Sequence, residues 1–409
     1  MHHSNYFAYF CSKIKLKMTH FSLILPVYIY ILLSVSLLTA VLSMTFFLNF
    51  FKRPAVLCDR QNRATASDDV ELMPASVIVY CHDNAAQLQK LLPQLFEQNY
   101  DAPFEVIVIN DGASEEVNDV FNLMAAGNPN LRTTFIPQDS HSLSRKKLAT
   151  TLGVKAARYD LVFFTNADTV IPSNCWLRQM SEPFSRGADI VVGHASTNID
   201  MHTSLFRSVY RLDALLDTVT YLAFAIGGRP YRVNARNLAY RKHLFFDNKG
   251  FCKSLNLHGG EDDIYISEIA DGRKVEVVLS FDSQIQVDSY NPRKEYRESK
   301  LSHIFTGRFV SRRGSMLLSA ASWTNWMFLL CGAGAAVMAL PNPVPAIVAG
   351  VLFLVQCVVM GVTWRRIGNL LHIKANPWLA FPFMFVRPVY NLYYRVKARV
   401  TRQRNYTWN

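Results

Sequence analysis

Two long uncharged stretches enclose a region in which short apolar runs alternate with amphipathic ones. Residues 21–51 carry no Asp, Glu, Lys or Arg, and residues 316–364 carry none either. About 20 residues suffice to cross the hydrocarbon core of a bilayer. The first stretch therefore predicts a transmembrane anchor, and it is too long, without a cleavage site, for a signal peptide. The second predicts two spans, joined by a hairpin at the proline-rich residues 341–345.

Basic residues beside these stretches predict their orientation. Lysines in residues 13–17 would place the N-terminus in the cytoplasm. Met18 as the true start would remove them and leave the basic residues of 52–63 to hold the following segment inside, and we favour that version. Residues 316–395 then hold the hairpin plus a third span or an interfacial segment, and we favour an interfacial or re-entrant segment for its apolar, aromatic end. A span there would place the basic tail, residues 396–409, on the wrong side.

The central region has the periodicity of an α/β domain. Residues 52–74 are polar and aperiodic, which predicts a linker after the anchor of residues 1–51. Within residues 75–300, four short apolar runs alternate with helical patterns: 75–80, 104–109, 132–136 and 161–164. Such alternation predicts right-handed βαβ units and a mainly parallel sheet. Residues 301–315 follow as a basic interfacial segment.

The composition restricts the partners. A formal charge of +12 suits either nucleic acid or the anionic inner face of a membrane. The basic residues cluster beside the spans and not along one soluble face, so we expect membrane lipids and no nucleic acid. The seven cysteines lack metal-ligand spacing and are expected to be free thiols.

Acidic and amide side chains follow the predicted strands where a sheet of this class binds ligands. Asp111 follows the second strand, and Asn166 with Asp168 follows the fourth. Oxygen ligands two residues apart can share Mg²⁺ or Mn²⁺, which commonly bridges to a diphosphate. Residues 261–263, Glu-Asp-Asp after Gly259-Gly260, could supply a carboxylate base for a hydroxyl nucleophile.

Six short segments together resemble one known family, the membrane-associated family 2 glycosyltransferases of bacteria, which have the GT-A fold. They are Tyr80-Cys81-His82-Asp83-Asn84, Asn110-Asp111-Gly112-Ala113-Ser114, Ser144-Arg145-Lys146-Lys147-Leu148-Ala149, Asn166-Ala167-Asp168, Arg236-Asn237-Leu238-Ala239-Tyr240 and Gly260-Glu261-Asp262-Asp263. The resemblance covers roughly residues 75–308, and the flanking spans agree with it. It implies an α/β GT-A domain flanked by transmembrane helices, in the cell inner membrane with the catalytic domain cytoplasmic.

The resemblance also implies roles for individual residues. Asp262 would be the general base, with Glu261 beside it in the catalytic motif, while Asp168 and Asn166 would hold Mg²⁺ or Mn²⁺. The donor would be a nucleotide-diphospho-sugar, and the acceptor a lipid-linked or nascent glycan. The residues expected to contact substrate are Tyr80, Asp83, Asn84, Asp111, Lys147, Arg236, Asn237, Asp263 and His303.

Two departures from the family pattern limit this interpretation. Asn166 stands where the family has the first metal-site aspartate, which removes one anionic ligand. The stretch Ser299-Lys300-Leu301-Ser302-His303 lacks the Gln and Arg of the motif used by processive synthases, leaving Lys300, His303 and Arg308 as partial substitutes. The sequence thus also permits a non-catalytic membrane partner that keeps the fold.

Overall fold

The computed structural model describes residues 26–64, 71–140, 144–197, 205–257, 259–289, 291–307, 309–310 and 313–405. The elements up to residue 197 are α1 (Val27–Phe46), a π-helical turn (Phe47–Phe51), α2 (Arg53–Arg63), β1 (Ala75–His82), α3 (Ala85–Phe96), β2 (Phe104–Asp111), α4 (Glu115–Ala125), β3 (Leu131–Ile136), α5 (Arg145–Ala156), β4 (Leu161–Asn166), β5 (Thr169–Val170), α6 (Trp176–Ser185), β6 (Ile190–Val192) and β7 (Ala195–Thr197).

The remaining elements are α7 (Leu205–Ile226), β8 (Leu238–Arg241), α8 (Lys242–Asp247), α9 (Ile264–Ile269), β9 (Val275–Val277), β10 (Ile285–Val287), α10 (Pro292–Thr306), α11 (Arg313–Met338), α12 (Val344–Leu370) and α13 (Ala380–Asn405). Short 3₁₀ turns occupy Ala235–Asn237, Cys252–Ser254, Phe281–Ser283 and Pro377–Leu379.

A seven-stranded mixed sheet forms the centre of the domain, in the order β3-β2-β1-β4-β8-β6-β9. The four strands predicted from the apolar runs are parallel neighbours, and β8 runs antiparallel to β4 and β6. Apolar side chains on both faces of β1, β2 and β4 are buried, as expected where helices cover both sides of a parallel sheet. The predicted α/β fold class is confirmed.

The register brings the predicted polar residues to one edge of the sheet. His82 is paired with Asp111, and Tyr80 is paired with both Ile109 and Asn166. The carboxyl ends of β1, β2 and β4 therefore lie side by side, as their parallel pairing requires. The chain then enters a separate three-stranded sheet, in the order β5-β10-β7. Its first strand, β5, begins directly after Asp168.

The predicted linker, residues 52–74, contains a docked helix. α2 buries Pro54, Ala55 and Cys58. The Gln61 side chain donates to the Val277 carbonyl at 2.9 Å and accepts from the Leu279 amide at 2.6 Å, and Asn62 accepts from the Phe281 amide at 2.8 Å. The mixed charge of this segment reflects a helix with one buried face, which periodicity alone did not indicate.

Among the described residues, two helices are long and apolar enough to cross a membrane, Val27–Arg63 and Val344–Leu370. The bend between the two predicted C-terminal spans lies at residues 339–343, as the prolines indicated. α11 packs against α1 through small and polar residues: the Ser36 hydroxyl donates to the Phe328 carbonyl at 3.1 Å, and Ser43 contacts Asn325. Small residues and interhelical hydrogen bonds are typical of helix packing in lipid.

The apolar segment of residues 377–394 is largely helical and lies in α13. Arg387 of this helix reaches back to α7, where its Nε donates to Asp213 Oδ1 at 2.9 Å and its Nη2 contacts Asp217. Lys300 and Tyr296 of α10 also contact the Asp213 carboxylate, which is wholly buried. We call these five residues the Asp213 cluster, and it joins the α/β domain to the C-terminal helix.

Candidate active site

Asp111 ends β2 and is fully buried between two donors. The Tyr80 hydroxyl donates to Oδ2 at 2.6 Å, and Arg145 Nε donates to Oδ1 at 2.6 Å. Burial and the neighbouring Asp111 hold the pKa of Tyr80 well above its ordinary value, so the phenol keeps the proton that it donates. Arg145 also donates to carbonyls of the 137–140 loop. Asp111 and Tyr80 thus lie together at the sheet edge.

The turn after Asp111 has an unusual backbone. Gly112 has a φ of +102° and Ala113 a φ of +51°. Asn110 closes the turn, since its side-chain amide donates to the Ser114 carbonyl at 2.9 Å and its Oδ1 accepts from the Ser114 amide at 3.1 Å. Left-handed backbone in a non-glycine residue is held only where surrounding contacts fix it. This turn therefore fixes the end of β2 where Asp111 lies.

A narrow cavity of about 30 Å³ opens beside Tyr80. Its polar lining includes Tyr80, Lys146, Thr150, Asn166 and Glu261. Lys146 Nζ lies 3.6 Å from Glu261 Oε1, while Glu261 Oε2 is buried without a hydrogen bond. Residues from β1, β4, α5 and the 259–263 loop therefore converge on this cavity, and three of them, Tyr80, Asn166 and Glu261, are predicted site residues.

Lys147, predicted to contact substrate, does not line the cavity, whereas Lys146 does. Lys147 is buried and donates through Nζ to the Ser254 and Leu257 carbonyls, at 2.5 and 3.0 Å. Burial lowers its pKa to about 8. In this arrangement Lys147 fixes the 254–257 turn, and its contact with substrate stays a prediction. The sequence contained a signal that favours Lys146. Lys146 and Thr150, which both line the cavity, are one turn apart on the same face of α5.

Asp262 faces His303 of α10. His303 Nε2 lies 3.5 Å from Asp262 Oδ1, and His303 Nδ1 lies 2.6 Å from the Ser299 carbonyl. Since a carbonyl only accepts, Nδ1 carries a proton, and Nε2 is left to face the carboxylate. Burial alone would raise the pKa of Asp262, but His303, Lys146 and Arg232 together lower it well below its ordinary value. Asp262 is therefore held as a carboxylate.

Asp263 caps the N-terminus of α9. Oδ1 accepts from the Ile264 amide at 2.6 Å, and Oδ2 accepts from the Thr306 hydroxyl. Burial raises the pKa of Asp263, His303 opposes the rise and Asp262 adds to it. Ligand atoms of Asp262, Asp263 and His303 lie within 4.8 Å of one another, a spacing that a metal ion could bridge.

Asp168 lies outside the cavity and lines a neighbouring groove of about 220 Å³ with Asn84, Asp288, Glu295 and Glu298. Arg236 holds both of its oxygens, with Nε 3.1 Å from Oδ1 and Nη2 2.6 Å from Oδ2. The same Nη2 lies 2.5 Å from Glu295 Oε1. Arg236, predicted to contact substrate, is thus bound to the predicted metal ligand, and Asn166 and Asp168 line different recesses.

Asn237, predicted to contact substrate, holds segments of the fold together. It is fully buried, donates to the His194 and Ser283 carbonyls at 2.8 and 2.9 Å, and accepts from Trp176 Nε1 at 3.1 Å. A Cβ on Gly193 would lie 2.4 Å from the Asn237 side chain, so only glycine fits beside it. These contacts give Asn237 a structural role, and its contact with substrate stays a prediction.

The remaining predicted contacts lie at the rim. Asn84 lines the groove with Asp168. Asp83 is exposed with a φ of +52°, and its carboxylate lies 3.7 Å from His82 Nε2. Arg145, Lys146, Arg232 and Glu295 were not predicted. Arg145 and Lys146 stood inside the quoted basic motif, whereas Arg232 and Glu295 carried no signal in the sequence.

Comparison with known proteins agrees with this geometry. Residues 76–252 match the model of the family described as glycosyl transferase family 2. This segment contains Asp111 and Asp168 and ends before Glu261. Among curated proteins none matches the chain in sequence.

A solved structure with a similar fold is the mannosyltransferase PcManGT from Pyrobaculum calidifontis, in complex with GDP-Man and Mn²⁺. The TM-score is 0.52 at 15% sequence identity, and the match covers 88% of this chain and 99% of that one. Because residues 75–300 are little more than half of the chain, the match extends into the flanking helices. Together with the sheet order, these findings identify the central domain as a glycosyltransferase family 2 domain of the GT-A fold.

Proposed function

We propose that the protein is an inverting glycosyltransferase that moves a sugar from a nucleotide-diphosphate donor to a lipid-linked or nascent glycan acceptor. The observation that carries this proposal is the convergence of Tyr80, Lys146 and Glu261 on one cavity at the sheet edge. Tyr80 donates to Asp111, and Asp262 follows Glu261 directly, next to the segment matched by the family. The similar mannosyltransferase was solved with GDP-Man, which supports a nucleotide-sugar as donor.

The proposed chemistry is a single displacement at the anomeric carbon. Asp262, held as a carboxylate, takes the proton of the acceptor hydroxyl while the new glycosidic bond forms. The bond to the nucleotide diphosphate breaks on the opposite face, and the leaving group carries the electron pair. Lys146 at the cavity mouth is placed to stabilise the negative charge that develops there.

The divalent metal expected from the family does not fit the Asn166–Asp168 pair as this chain arranges it. Asn166 is neutral and lines the cavity, while both oxygens of Asp168 are engaged by Arg236 in the groove. The solved mannosyltransferase contains Mn²⁺, so a metal remains part of the expectation for the fold. We derive no catalytic step from it in this protein.

We further propose that the domain lies at the cytoplasmic face of the cell inner membrane. Val27–Arg63 and Val344–Leu370 are apolar enough to span it. The basic residues Lys52, Arg53, Arg365 and Arg366 lie at the ends of these helices nearest the domain, which favours the cytoplasmic side for the domain.

The test is a screen of nucleotide-sugars against the detergent-purified protein, measuring released nucleotide diphosphate with and without an acceptor extract. We expect one donor to be consumed, and Asp262→Asn to lower turnover at least about 100-fold because general-base catalysis contributes 10²–10⁴-fold. Donor binding, measured by calorimetry, should survive in that variant. Unchanged turnover in Asp262→Asn would exclude the assigned base.

A non-catalytic membrane partner is the second candidate, favoured by Asn166 and by the engagement of Asp168. It predicts no donor consumption by wild type in the same screen, whether or not nucleotide binds. Donor turnover that depends on Asp262 therefore separates the two functions.

A further inference from the structure

The cation that faces Asp168 belongs to the chain itself. Arg236 contacts both carboxylate oxygens through two nitrogens, which is the bidentate geometry that makes guanidinium–carboxylate pairs strong. We propose that Arg236 replaces a divalent metal at this position, and that Asp168 binds no metal ion in the wild-type protein. The guanidinium then supplies the positive charge of the donor site. This last point rests on the proposed function, whereas the statement about metal does not.

A metal-bound pair of aspartates and the arrangement found in this chain have the same net charge. Two aspartates with a divalent cation are electrically neutral, and so are Asn166, Asp168 and Arg236 taken together. The loss of one carboxylate at Asn166 weakens the attraction for a divalent ion. The same loss leaves Asp168 as the single negative charge of the Asn166–Asp168 pair, which one guanidinium can neutralise, so the asparagine and the arginine compensate each other.

Hydrogen bonds fix the backbone on both sides of the Arg236–Asp168 pair. The Asn234 side chain accepts from the Arg236 amide at 3.1 Å, and the next residue, Asn237, is fixed by its three buried hydrogen bonds. On the other side, the Asp168 carbonyl accepts from the Asp288 amide at 2.8 Å, and the Ala167 amide donates to the Tyr80 carbonyl at 2.8 Å. The contact is therefore part of the fold and not a chance meeting of two mobile side chains.

A metal ion at Asp168 has to compete with the guanidinium for the same two carboxylate oxygens. The side chains of Arg236 and Asp168 are 18% and 13% exposed, and Glu295 holds the same Nη2 at 2.5 Å. Removing one partner of such a buried pair is strongly destabilising. A metal that has to break this pair should bind about 100-fold more weakly than it would to a free carboxylate pair.

The test is a titration with Mn²⁺ alone. Binding is measured as the loss of the free-ion signal in electron paramagnetic resonance. Wild type and Asp168→Asn should give the same binding curve. Arg236→Gln removes the guanidinium and leaves Asp168 beside Asp288, Glu295 and Glu298 of the same groove, so this variant should bind Mn²⁺ about 100-fold more tightly than wild type. Lys294→Gln is the matched control: Lys294 lines the same groove and is a positive residue with no contact to Asp168, so it should match wild type.

Two results would overturn the proposal. The first is wild-type Mn²⁺ binding that weakens tenfold or more in Asp168→Asn. The second is tight binding by Asn166→Asp with Arg236 still present, which would show that the arginine does not block the site. This single variant keeps the ion pair and avoids the folding risk of losing it, and thermal unfolding checks each protein.

Mn²⁺ bound elsewhere gives a distinct result. Binding that is unchanged in Asp168→Asn and lost in Asp262→Asn would place the ion at Asp262, Asp263 and His303, and would support the proposal that Asp168 is no ligand. None of these titrations requires turnover. They therefore decide the role of Arg236 even if the transferase assignment fails.

Discussion

The Asp213 cluster should contribute a large share of the stability of this protein. The Asp213 carboxylate is fully buried, Lys300 is 6% exposed and Arg387 is 14% exposed. Burial raises the pKa of Asp213, but Arg387 and Lys300 outweigh it and lower that pKa, so the carboxylate is charged. The perturbation that tests the cluster is Asp213→Asn, which keeps the shape and removes the charge.

The expected cost follows from what the variant leaves behind. Arg387 keeps Asp217 as a partner, whereas Lys300 loses its only carboxylate among the described residues while staying buried. Leaving a buried charge unpaired costs about 3–5 kcal/mol, and the lower end applies because one of the two cations is still paired. A loss of about 3 kcal/mol should lower the unfolding temperature by roughly 3–4 °C in a chain of this size.

Thermal unfolding of the detergent-purified protein, followed by intrinsic fluorescence, measures this loss. Asp217→Asn is the matched control, because Asp217 is 27% exposed and Arg387 retains Asp213. We expect it to cost about 1 kcal/mol at most. Asp213→Asn/Lys300→Met removes the unpaired cation and should recover part of the loss. Equal unfolding temperatures for Asp213→Asn and Asp217→Asn would refute the reasoning.

Two further predictions concern the site. His303→Gln removes the imidazole 3.5 Å from Asp262, the largest of the neighbours that lower its pKa, so the pKa of Asp262 should rise towards its ordinary value and the acid-side fall of kcat/KM should move to higher pH; an unmoved pH profile would show that Asp262 is not the base. Asn237→Ala leaves three buried partners unpaired and should cost about 2–4 kcal/mol in thermal unfolding while donor affinity stays the same; weaker donor binding at unchanged stability would instead return Asn237 to the binding site.

The sequence predicted those parts of the molecule that depend on local pattern. Four apolar runs became the parallel strands, and the polar residues at their ends came to one edge because parallel pairing requires it. The antiparallel β8 was not predicted, since its Leu-Ala-Tyr-Arg carries no direction in its periodicity. Nor was the helix of residues 53–63, whose buried face is only one turn wide.

Side-chain partners far apart in the sequence were beyond the reach of such patterns. Arg236 and Asp168 are separated by 68 residues, and Lys300 and Asp213 by 87. The motifs named both Arg236 and Lys300, but a motif does not say which carboxylate each of them contacts. Only the folded structure shows that Asp168, the metal ligand implied by the family resemblance, contacts the Arg236 guanidinium.

The contacts of Gln61 and Asn62 with residues 277–281 have a mechanical consequence. They fix α2 against residues 277–281, so the helical segment that begins with α1 moves together with the sheet. In the membrane orientation that we propose, the cleft would keep a constant height above the lipid surface. The acceptor hydroxyl would then have to be presented at that height, which would select acceptors by how far they project from the bilayer.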